Sequence, residues 1–302
     1  MSLVRAPQHD RTRLNRALAW PALLVAAFLI GYAPMFWSLI RGPWQSEQQG
    51  HGPLIMAASL WLVWQARQRI SGVKIAAAPL PGWTILSFGL VLMFLARTQG
   101  VLGAEVLSAI IVVIGCVLLL AGYAMLRVLA FPIGFLLFAV PAPDWMVDAA
   151  TVPLKVLISD TVTGLLHSAG YPIAQDGVII MIGPYEVLVK DACSGMNSIF
   201  ALTAIGVFYA CSIRGDDKIR SLILLAATIP IAIAANFMRV LALVLIAYYY
   251  GVDKLQGALH ELTGVGLFAV AVMLFFLLDT VLGLVIRALA NLETRRAGAP
   301  PC

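Results

Sequence analysis

The chain has 302 residues, of which 61% are hydrophobic and only 12% charged, and its mean hydropathy is +0.94. A soluble domain carries about 25% charged residues, so a water-exposed globular protein is excluded. The net charge of +5 does not point to nucleic acid. Most of the basic residues sit beside apolar blocks of membrane-spanning length, where topology accounts for them.

In chain order, eight apolar spans are predicted, at 18–40, 54–66, 82–96, 105–125, 128–140, 197–213, 221–238 and 262–287. The first apolar block is too long for a signal-peptide core, and Gly31-Tyr32-Ala33-Pro34 suits cleavage poorly, so it reads as a retained span. The blocks at 54–66 and 128–140 are short and need burial among neighbours or snorkelling flanks. An even count puts both termini on one side. With the N-terminus in the cytoplasm, about fourteen of the 20 Lys and Arg fall inside, Arg127, Lys218 and Arg220 among them. Arg41, Arg97, Lys155, Lys190, Arg239 and Lys254 fall outside, which satisfies the positive-inside rule. The expected fold is therefore an all-α, multi-pass membrane protein of the bacterial inner membrane. It forms a single integral membrane domain over 1–302, with both termini cytoplasmic.

One long external segment, 141–197, remains. Leu154, Ile158, Val162 and Leu165 recur at helical spacing, with Lys155, Ser159, Asp160, Thr163 and His167 on other faces, which predicts an amphipathic helix at the outer interface. Residues 178–182 and 186–190, rich in β-branched side chains around Gly183-Pro184, predict a short β-hairpin. The hairpin leads into Cys193.

The four cysteines are Cys116, Cys193, Cys211 and Cys302. None is spaced for metal binding or a disulfide framework, and only Cys193 stands at a span edge in polar company. Arg239 lies about 27 Å along a helix begun at Ser221, which brings it to the outer leaflet, and His260 opens the eighth span on the same side. A thiol, a guanidinium and an imidazole at one depth are the parts of a cysteine acyl-transfer site. The thiolate is the nucleophile, and a nearby cation or a helix N-terminus favours it. The imidazole can pass a proton from the thiol to the leaving amine, and a fixed guanidinium can hold a thiolate or an oxyanion.

Each residue also has a plainer reading. Cys193 fits a small buried apolar residue, Arg239 a snorkelling arginine, and His260 a structural interfacial histidine. The flanking run Ala234-Ala235-Asn236-Phe237-Met238-Arg239-Val240-Leu241 argues against simple snorkelling, since a charge among apolar residues needs a partner or a purpose. His51, His167 and His260 would all be external and would permit a zinc site, but they share no H-x-x-x-H pairing. No cofactor is expected.

At these residues the chain resembles the exosortase/archaeosortase family. Ala192-Cys193-Ser194-Gly195 is similar to its nucleophile motif, Asn236-Phe237-Met238-Arg239-Val240 to its arginine motif, and the stretch from Gly251 to His260 to the approach to its histidine. Phe131-Pro132-Ile133 through Val140-Pro141-Ala142-Pro143 resembles a further shared stretch, and the similarity covers roughly 128–275. The resemblance implies a cysteine peptidase or transpeptidase that cleaves C-terminal sorting signals of secreted proteins, often alongside exopolysaccharide production. Such a signal is PEP-CTERM-like, with a short motif, a transmembrane helix and a basic tail. The implied roles are Cys193 as nucleophile, Arg239 as thiolate or oxyanion stabiliser and His260 as general acid/base. Ser194, Gly195 and Asn236 are the candidate substrate contacts. Two other readings stand: a membrane polysaccharide transferase, ligase or transport subunit that uses external Arg and His, and a non-catalytic scaffold.

Overall fold

The apolar blocks fold as helices, and six are long and apolar enough to cross a membrane: Leu23–Gln45, Pro79–Gln99, Leu102–Leu120, Gly122–Ala139, Ile219–Tyr250 and Ala269–Ile286. The predicted spans at 54–66 and 197–213 correspond to shorter apolar helices, Gly52–Gln65 and Ala201–Ser212. The computed structural model describes residues 9–46, 49–188, 196–212, 218–251 and 258–297. Its contacts fall into two compact units, Met1–Ser46 with Lys74–Leu126, and Glu47–Val73 with Arg127–Cys302.

The first unit contains α1 (His9–Arg41) and a helical hairpin of α4 (Pro79–Gln99) and α5 (Leu102–Leu120). Pro79 sits in the opening turn of α4, where its missing N–H costs nothing. The hairpin closes tightly because its seam lacks side chains. A Cβ at Gly115 would come within 2.8 Å of the Leu86 backbone nitrogen, so glycine lets the two backbones approach. Arg97 Nε donates to Glu105 Oε1 at 2.8 Å, and its Nη2 donates to the Gly31 carbonyl at 2.9 Å. Tyr32 and Ser108 share a hydrogen bond of 3.0 Å. The ion pair thus clasps α4 to α5, while the Arg97 bond to the Gly31 carbonyl and the Tyr32–Ser108 hydroxyl pair tie α1 to the hairpin.

Sequence periodicity places the boundary between the fourth and fifth spans near 126–127; the structure moves it to Ala121-Gly122. Gly122 adopts φ +81°, and a side chain there would collide with the Ala76 carbonyl. Tertiary contact, invisible in the periodicity, selects this break. The fifth block, expected to be short, becomes part of an 18-residue run to Ala139.

The second unit begins with α2 (Gly52–Gln65) and α3 (Arg67–Ser71) and takes up α6 (Gly122–Phe135) from Arg127 onward. After α6 the chain tightens into a 3₁₀ turn, Leu136–Ala139. The Pro132 carbonyl, whose α-helical donor would be the Leu136 N–H, accepts a hydrogen bond from Ser59 Oγ at 2.7 Å. Ile55, Leu62, Phe135 and Ala204 form the adjoining core.

The external segment folds as α7 (Asp144–Ser168) and a three-stranded antiparallel sheet in the order β1 (Ile173–Asp176), β2 (Ile179–Ile182), β3 (Tyr185–Leu188). The Gly183-Pro184 turn joins β2 to β3 as expected, with Ile182 opposite Tyr185. The sequence pattern predicts no strand at β1, because Ile173-Ala174-Gln175-Asp176 is short and half polar. It exists through its pairing with β2. Ile180, Ile182 and Val187 turn inward onto Ile158, Val162 and Leu166 of α7 and onto Val240, Leu243, Val244 and Ala247.

The polar faces of α7 differ from expectation. Asp160 and His167 are exposed, but Lys155 and Ser159 are buried, whereas Leu165 is exposed. The face that packs against protein is rotated from the predicted apolar face, so it covers Lys155 and Ser159 and leaves Leu165 exposed. The remaining helices are α8 (Met196–Ser212), α9 (Lys218–Tyr250) and α10 (Ala258–Ala297). The predicted seventh span ended at 238, whereas α9 continues for twelve further residues, through Tyr250.

Candidate functional site

α9 carries Asn236 and Arg239 and α10 carries His260; α8 packs beside them, and the three run antiparallel across α9. Leu202 of α8, Ala232 of α9 and Ala271 of α10 meet in one small core. Further along, Tyr209 of α8 and Arg220 of α9 converge on Asp279 of α10. Moving from that cluster to the core, the chain runs backward in α8 and α10 but forward in α9. Continuing in the same sense beyond Ala232, two helical turns or about 10 Å, α9 reaches Arg239.

Arg239 and Asn236 are three residues apart, so they share a face of α9. Both are buried, at 6% and 2% exposure, and each makes polar or electrostatic contacts. The next residue, Val240, is fully enclosed in the core shared with α7 and the sheet. Arg239 is therefore held in the packed interior of the unit, unlike a snorkelling side chain that reaches outward along a lipid-facing stem. A charge within an apolar helix costs about 2.5–3.5 kcal/mol on insertion scales, so this position needs compensating contacts.

His260 is the third residue of α10. Cys193, Ser194 and Gly195 lie outside the described residues, as does Cys302. α8 begins at Met196, three residues after Cys193. Cys116 and Cys211 are free thiols within apolar helices. His51, just before α2, has its pKa lowered by burial, with the Phe138 backbone opposing the shift. His167 is exposed at the end of α7.

A family model described as transmembrane exosortase (Exosortase_EpsH) matches residues 44–277. The chain belongs to that family. No curated protein and no solved structure matches it. The matched range of this exosortase contains α2, α7, the sheet, α8 and α9, with Asn236 and Arg239, and it reaches into α10 beyond His260.

Sequence reasoning missed one buried polar cluster of the exosortase. Arg220 Nε donates to Asp279 Oδ1 at 2.6 Å, and Tyr209 Oη donates to Asp279 Oδ2 at 2.6 Å. The positive-inside sorting counts Arg220 among the cytoplasmic charges, whereas its side chain is buried against α10. The lone acid of the block 262–287 was the available clue, since an ionisable residue inside an apolar span needs a partner.

Proposed function

We propose that this exosortase is a membrane-embedded cysteine transpeptidase or peptidase that cleaves the C-terminal sorting signals of secreted proteins. The observation that carries the reading is the burial of Arg239 beside Asn236 inside an apolar helix. Chain counting supports it. From the level of Leu202, Ala232 and Ala271, Arg239 lies seven residues onward, His260 eleven residues back and Cys193 nine residues back. Because α9 opposes α10, the displacements of Arg239 and His260 run toward the same end of the bundle, and α8 begins at Met196, three residues after Cys193 in the chain.

In the proposed reaction, the Cys193 thiolate attacks the carbonyl carbon of the scissile peptide bond. Arg239 holds the oxyanion, a role a fixed donor fills well in a dry site. His260, having taken the thiol proton, delivers it to the leaving nitrogen as the C–N bond breaks. Water or an amine acceptor then attacks the thioester carbonyl, gives a proton to the now neutral His260, and the C–S bond breaks to release the thiolate. Ser194, Gly195 and Asn236 contact the substrate. The site faces the outer side of the bacterial inner membrane, with eight spans in a single membrane domain and both termini cytoplasmic. The substrate signal is PEP-CTERM-like, and the activity accompanies exopolysaccharide production.

The test is processing of a co-expressed secreted protein that carries such a signal. Cys193→Ala and Cys193→Ser should abolish cleavage with normal abundance, because a site tuned for a thiolate activates a serine hydroxyl poorly. Cys116→Ala and Cys211→Ala should be silent. Cleavage retained by Cys193→Ala rejects Cys193 as the nucleophile.

A further inference from the structure

α7 carries a polar stripe that the proposed chemistry does not use. Thr151, Lys155, Ser159 and Thr163 follow one another at intervals of four residues, along one side of the helix. Thr151 and Ser159 are at most 1% exposed. The hydroxyl oxygens of Thr151, Ser159 and Thr163 are all buried and have no hydrogen-bond partner among the described residues.

A helical serine or threonine without a tertiary partner commonly turns back to its own helix. Thr161 does so, donating to the Leu157 carbonyl at 2.7 Å, and Thr228 bonds Leu224 in the same way at 2.9 Å. The three stripe hydroxyls do not. Buried polar groups without partners are rare because they lose water and gain nothing in return. Three on one stripe leave a row of hydroxyls whose hydrogen-bonding capacity another molecule could meet. α7 also borders the candidate site, since Ile158 and Val162 pack in the same core as Val240, the neighbour of Arg239.

The spacing identifies the class of that molecule. Positions four apart on a helix are separated by about 6 Å along its axis. Main-chain groups on one edge of an extended strand repeat at about 6.7 Å, a close match over two or three repeats. A hydroxyl both donates and accepts, so such a row can bond backbone N–H and C=O groups whatever side chains lie between.

We infer that the stripe is a docking rail for the extended substrate segment next to the scissile bond, with Thr151, Ser159 and Thr163 bonding its main chain. The inference rests on the transpeptidase reading above and adds a recognition mode to it. Protein covers the rail, so docking exchanges internal packing for substrate, and the unmet hydrogen bonds favour that exchange.

The experiment uses the full chain with Cys193→Ala, in detergent, so that binding is measured without chemistry. The probe is a fluorescent peptide with a Pro-Glu-Pro motif, about 20 apolar residues and a basic tail. A second probe carries N-methyl groups on alternate amides around the motif. Thr151→Val, Ser159→Ala and Thr163→Val combined should weaken binding of the first probe at least tenfold. The second probe should bind weakly to both proteins, with little further loss in the variant, because the two changes remove the same bonds. Thermal stability should hold or rise, since unpaired hydroxyls are being removed. Should the combined variant misfold, Ser159→Ala alone is expected to weaken binding about threefold. Unchanged affinity in the variants, or no binding of the first probe to the parent protein, overturns the rail. Cleavage that survives Cys193→Ala in the processing assay overturns the nucleophile instead and leaves the binding result to judge the rail.

Discussion

Arg220 grips Asp279 twice: its Nε donates to the carboxylate at 2.6 Å, and its Nη2 donates to the Asp279 backbone carbonyl at 2.5 Å. Tyr209 holds the other carboxylate oxygen, so one acid joins α8, α9 and α10. One turn along, the bare Gly283 makes room, since a Cβ there would lie 2.8 Å from the guanidinium. Further along α9, away from this cluster, lie Asn236 and Arg239.

Asp279→Asn should leave a buried guanidinium without its counter-charge. Breaking one side of a buried pair costs about 3–5 kcal/mol, to be read as a lowered unfolding midpoint in detergent. Replacing both members, Arg220→Met with Asp279→Leu, should cost less than the single change, because no buried charge is stranded. A double variant as unstable as Asp279→Asn argues that the hydrogen-bond geometry, and not the charge, matters most.

At Arg239 the planar fork separates function from anchoring. A snorkelling role would tolerate Arg239→Lys, because an ammonium on a flexible stem also reaches the interface. An oxyanion or thiolate role would not. Arg239→Lys and Arg239→Gln should each lower the rate of substrate cleavage by about 10²–10³, the usual cost of one oxyanion donor. Arg239→Gln should also move alkylation of Cys193 to higher pH, since a cation lowers a neighbouring thiol pKa. Full activity in Arg239→Lys with an unchanged alkylation profile would make the residue structural.

His51 predicts the direction of one pH response. Burial lowers its pKa below the usual value of about 6.5. Above that value His51 is neutral in both folded and unfolded chains and contributes no pH dependence. As pH falls below it, the unfolded chain binds a proton that the folded site resists, so stability is lost toward the folded pKa. The unfolding midpoint should drop between pH 7.5 and 5.5, and His51→Gln should flatten that part of the curve. An equal drop in the variant assigns the effect to other groups.

The hairpin of α4 and α5 depends on bare backbone at its seam. Gly115→Leu places a side chain where the Leu86 backbone lies 2.8 Å from the first added carbon, so the helices must separate. Overpacking usually costs about 1–3 kcal/mol, and at a backbone contact the loss should reach the upper end. Gly31→Ala, with open space around it, should be tolerated in the same denaturation assay.

Hydrophobicity by itself fixed the class of this protein. Long apolar blocks leave a chain few options besides helices, because backbone groups in a membrane must be satisfied within the segment. Likewise, Gly183-Pro184 between β-branched runs announced the β2–β3 hairpin, and Arg239 was conspicuous as a charge in an apolar run. Such features are local, so a window of the sequence contains them. Others depend on what a distant segment brings near. β1 required β2 as a partner, the break at Gly122 required the Ala76 carbonyl, and the Arg220–Asp279 pair required two helices 59 positions apart to meet. The burial of Lys155 and Ser159 on α7 belongs with these. Periodicity sorts residues onto faces, but only tertiary packing decides whether a polar face meets water, lipid or protein.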